Sequence, residues 1–70
     1  MGAIERGFMI LTILMKKSSV KHPLSYKDIQ RELLNEYNIK VNYRTVKGAV
    51  NELSLMLGIA EDDKGRVFVI

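Results

Sequence analysis

Arg44, Lys47 and Asn51 offer a ligand more than any other residues of this chain, and steps of three and four residues place them on one face of a helix. Gly48 and Leu55 fall on the same stripe. Arginine and lysine hold phosphates or donate to guanine edges, and an asparagine amide can make two hydrogen bonds to adenine. A glycine costs a helix interior about 1 kcal/mol relative to alanine, and close approach of another backbone or of DNA would give that cost a purpose. The stripe suits insertion into a groove of nucleic acid. The plainer alternatives are a solvated charged face, an exposed amide without a role, and a glycine tolerated by a well-capped helix.

Other residues join this set by position. Asn42, Tyr43 and Thr45 open the same helix, where hydroxyls and backbone N–H groups commonly meet phosphate; capping and packing would explain them equally well. Ser25, Tyr26 and Lys27 open an earlier helix, the place from which the first helix of such a pair touches the phosphate backbone. Lys64 and Arg66 could do the same from a C-terminal hairpin, although Glu61, Asp62 and Asp63 beside them would repel phosphate. Catalytic chemistry has no such foothold. There is no cysteine, and the single histidine, His22, precedes Pro23 in a loop. With no nucleophile–base set, carboxylate pair or phosphate-cradling glycine loop, we expect no enzyme, metal site, cofactor or small-molecule ligand.

The elements that must position these residues are marked by their ends. A helix over about 42–57 starts at Asn42, with Val41 stapled to Val46. It is expected to stop at a left-handed Gly58, with Ile59 folding back on Leu53. Val46, Ala49, Val50, Leu53, Met56 and Leu57 form its core face. A helix over about 25–37 starts at Ser25, with Asp28 as capping-box partner and Leu24 stapled to Ile29. It buries Ile29, Leu33 and either Leu34 or Tyr37. A first helix over about 3–17 carries Ala3, Gly7, Ile10, Leu11 and Leu14 toward the core. Phe8, Met9, Ile13 and Met15 flank that stripe, so this helix is apolar nearly all round. A wing strand could cover the second face; a second copy of the chain, docked on Phe8, Met9, Ile13 and Met15 and on the C-terminal strand, is the reading favoured here. Residues 59–70 form a hairpin in which Asp62-Asp63-Lys64-Gly65 is the turn and Gly65 takes the positive φ.

Seventy residues make one domain, residues 1–70, with a small core. A composition 47% hydrophobic and 27% charged argues against disorder. The net charge of +3 is compatible with a polyanionic partner and decides little alone. The apolar run from Phe8 to Met15 is too short to span a bilayer, so no membrane partner and a cytoplasmic location are expected.

The pattern Leu24-Ser25-x-x-Asp28-Ile29, followed by Tyr43-Arg44-Thr45-Val46-Lys47, resembles the N-terminal winged helix-turn-helix domain of WYL-type bacterial transcriptional regulators. The small winged domains of the DeoR and biotin-repressor type are similar. The family's first helix begins with a basic residue and continues through Ile-Leu pairs, as Arg6 and Ile10-Leu11 do here. The likeness covers residues 4–66 and is most specific at Arg44-Thr45-Val46. It implies binding of duplex DNA, with the third helix in the major groove and the hairpin near the backbone. The family commonly follows Thr-Val-x with Arg-Asp, where this chain has Gly48-Ala49. Its effector-sensing domain lies outside these residues.

The expectation is a mostly α, three-helix winged helix-turn-helix with a C-terminal β-hairpin. It would act as a sequence-specific double-stranded DNA binder, a small prokaryotic, phage or mobile-element regulator working as a homodimer. The alternative is a winged-helix docking or dimerisation module without DNA contact.

Overall fold

The computed structural model describes residues 2–70, without the side chain of Ala3, so the expected core position of Ala3 lies outside the described residues. Three helices, α1 (Ala3–Lys17), α2 (Tyr26–Tyr37) and α3 (Tyr43–Ser54), precede two strands, β1 (Ile59–Glu61) and β2 (Val67–Val69). The strands pair antiparallel with Ala60 opposite Phe68. Leu24, just before α2, exchanges both backbone hydrogen bonds with Val67 at 2.8 Å. That bridge ties the wing to the start of α2. The arrangement is the three-helix winged fold that the sequence predicts.

The helix starts form as their side chains dictate. Ser25 Oγ accepts from the Asp28 N–H at 3.0 Å, and Asp28 Oδ2 accepts from the Ser25 N–H at 3.1 Å, completing a capping box. Asn42 Oδ1 accepts from the Thr45 N–H at 2.8 Å. The hairpin turn follows its sequence too, with Gly65 at φ 81. Between α2 and α3, Asn38 supplies a left-handed cap (φ 54) whose N–H reaches the Leu33 and Leu34 carbonyls. Asparagine tolerates this conformation better than other residues with a Cβ.

Each helix packs against the other two, and β2 reaches α1. The core consists of Ile10, Ile13 and Leu14 from α1, Tyr26, Ile29 and Leu33 from α2, Val46, Val50 and Leu53 from α3, and Val67 from β2. At the end of α2, Tyr37 packs on this core while Leu34 is exposed.

Three expectations are corrected. Ile13, assigned to a second copy, is fully buried in the core, and Met9 packs half-buried against it. The wing accounts for part of this cover, since Val67 of β2 joins Ile13 in the core and β2 packs against α1. The third helix stops at Ser54, and the Leu55 and Met56 N–H groups bond three residues back, to Glu52 and Leu53. Met56, expected in the core, is consequently 77% exposed and Leu57 lies at the surface. Gly58 does not take the left-handed conformation; its carbonyl instead accepts from the Ile70 N–H at 2.8 Å, extending the hairpin by a pair.

Candidate nucleic-acid interface

Three stretches picked out separately in the sequence meet in one cleft. Ser25, Tyr26 and Lys27 at the start of α2, Tyr43 and Lys47 at the start of α3, and Glu61, Lys64 and Gly65 of the wing line a space of about 410 Å³. Both helix starts border this cleft, and the first-turn N–H groups that the caps leave unpaired favour an anion. Lys27, Lys47 and Lys64 are exposed around the cleft. Among the described residues none of these lysines, nor Arg44, forms an ion pair. Their charge is therefore available to a partner.

Two tyrosines join the helix starts. The Tyr26 and Tyr43 rings meet edge to face, with centroids 5.4 Å apart and planes at 88°. Tyr26 is only 6% exposed, so its side chain belongs to the core even as it borders the cleft. Burial, with the Glu61 carboxylate as a smaller cause, raises its hydroxyl pKa. Its spacing with Ile29 and Leu33 is a core spacing, a signal present in the sequence. Tyr43 is 44% exposed and presents the accessible ring of the pair.

Arg44, Gly48 and Asn51 lie exposed along α3 outside the cleft lining, and Thr45 is half-buried beside its cap. A Cβ built on Gly48 would meet nothing within 4 Å. Among the described residues no neighbour requires a glycine there. Leu55, at the end of the same stripe, is 86% exposed.

The wing is organised by Asp62. Its Oδ1 accepts from the Lys64 and Arg66 N–H groups at 3.0 and 2.8 Å, and its Oδ2 accepts from Arg66 Nε at 2.9 Å. These bonds, led by the one from the Arg66 backbone, lower the Asp62 pKa. Arg66, offered in the sequence as a phosphate contact, also holds the turn through its backbone N–H and its Nε. Asp62 is committed to that turn, so Glu61 and Asp63 are the acidic groups left without an ion pair at the wing.

Among the described residues no group of acidic, histidine or cysteine side chains could hold a metal ion. No helix there is long and apolar enough to cross a membrane. The architecture belongs to the class of three-helix winged folds. No family model, curated protein or solved structure matches the chain.

Proposed function

We propose that this protein binds double-stranded DNA in a sequence-specific manner, with α3 in the major groove, as a small transcriptional regulator of a bacterium, phage or mobile element. The convergence of both helix starts and the wing tip on one cleft, with three lysines outside any ion pair, is the observation that carries this reading. Lys27, Lys64, the Ser25 hydroxyl and the Tyr43 N–H group hold the phosphate backbone. Arg44, Lys47 and Asn51 face the base edges, and Gly48 lets α3 settle deeply. Glu61 trims the affinity by standing among the lysines.

A titration of the amide signals with a random-sequence duplex at low salt tests the reading. Shifts should concentrate in residues 25–27 and 42–51. Arg44→Ala and Lys47→Ala should each weaken binding, and Lys27→Ala or Lys64→Ala, which removes a phosphate contact, should flatten its salt dependence by close to one unit of slope. Absent or scattered shifts would refute DNA binding.

Exposed Leu55 on the α3 stripe favours a second reading, a docking surface for a protein helix. Binding of that kind would survive Arg44→Ala and Lys47→Ala and fail on Leu55→Asp.

A further inference from the structure

Helix α1 has an apolar face besides the one that enters the core. Ile10, Ile13 and Leu14 are buried, yet Ile4, Phe8, Leu11 and Met15 follow one another at steps of four, three and four residues along another side, where Leu11 is half-buried against the core and the other three are exposed. Those steps are the seam spacing of a helix that packs on another helix. Ile4, Phe8 and Met15 are 77%, 64% and 67% exposed. Beside the seam, between α1 and α3, lies a hollow of about 390 Å³ lined by Gly7, Ala49 and Met56 among others. A Cβ on Gly7 would meet nothing within 4 Å, so the space above it is open.

We infer that this face joins two copies of the chain, with their α1 helices packed antiparallel about a two-fold axis. A two-fold contact requires one patch to fit itself. This patch carries an exposed Phe8 on the rim of a hollow that Ile4, Gly7, Leu11 and Ala49 also line, an apolar surface that a second copy of the same face can cover. The charges give the direction. Glu5 and Lys16 are both exposed, and eleven residues, close to three turns, place them on the same flank of the seam at opposite ends of α1. Neither is ion-paired among the described residues. Antiparallel packing sets each Glu5 against the partner's Lys16, twice over; parallel packing would put the two charged flanks on opposite sides of the seam and form neither pair. Ala49 and Gly48 are successive residues, about 100° apart around α3, so the covered hollow leaves the polar stripe of α3 open. This inference stands independently of DNA binding.

Sedimentation equilibrium of the full chain without DNA, from about 1 to several hundred micromolar, tests it. A reversible monomer–dimer equilibrium is expected. Phe8→Asp should raise the dissociation constant about thirtyfold or more, as loss of a central aromatic anchor does. Glu5→Lys and Lys16→Glu should each weaken association several-fold, while an equimolar mixture of the two variants should associate at least as tightly as the unaltered chain. All three positions are exposed, and far-ultraviolet circular dichroism checks that the helices persist. A monomer across the range would overturn the inference. So would a Phe8→Asp chain that dimerises normally, or charge variants that associate like the original.

Discussion

At the scale of single residues, Asp62 sets what the wing can do. Its two oxygens gather the Lys64 and Arg66 N–H groups and the Arg66 guanidinium, so the hairpin tip is closed by one carboxylate. Because the folded-state pKa is lowered, the stabilisation is fully present above the ordinary value of 3.8 and is lost as pH falls through the lower folded value. The Lys64 and Arg66 amide signals should therefore hold steady from neutrality to the ordinary value and shift only below it. Movement already near neutrality would contradict this account. Gly48 makes a different prediction. With open space around its missing side chain, Gly48→Ala should stabilise the isolated protein by about 1 kcal/mol, a rise of roughly 4–8 °C in melting temperature. If α3 lies deep in a groove, the same variant should bind DNA more weakly, separating stability from affinity in one substitution.

At the scale of elements, the helices are held first by their starts and then by what they bury. Ser25→Ala removes the hydroxyl arm of the capping box and should cost about 1 kcal/mol, read from urea unfolding. For α1 the informative comparison is Ile13 against Phe8. Ile13→Ala opens a cavity in the core and should cost roughly 2–5 kcal/mol, a large share of what so small a domain possesses. Phe8→Ala removes a side chain that is 64% exposed and should leave monomer unfolding nearly unchanged. Equal losses in the two variants would mean that α1 is packed the other way round.

At the scale of the whole molecule, α1 and α2 are also joined across their ends, where Lys17 reaches Glu32 and, at 3.0 Å, Glu36. Hydrogen bonds to Glu32 and then Glu36 raise the lysine's pKa above 10.5. That contribution is present at neutral pH and is lost only as pH rises through the raised value. The partners are exposed enough for solvent to screen them, so Lys17→Ala should barely move the melting curve. Global stability rests on the shared core of three helices and Val67, and should respond to Leu33→Ala far more than to any surface charge.

The amino-acid sequence alone determined where α2 and α3 begin, because a cap needs only a side chain and a backbone N–H three residues apart: Ser25 with Asp28, Asn42 with Thr45. It determined the hairpin turn for the same reason, since Gly65 and the residues around it close within one loop. It also named most of the cleft, because exposed cations at helix starts are visible in order along the chain. Tertiary structure alone decided which face of α1 is inside. That helix is apolar on more sides than one, and only the positions of α2, α3 and β2 put Ile13 in the core while leaving Phe8 and Met15 out. It decided as well that α3 stops at Ser54 and that Gly58 does not take the left-handed conformation, since the chain must turn there to align Ile59 with Val69. Local bonding was legible because it spans a few residues; burial was not, because it depends on segments far apart in the chain that the fold brings together.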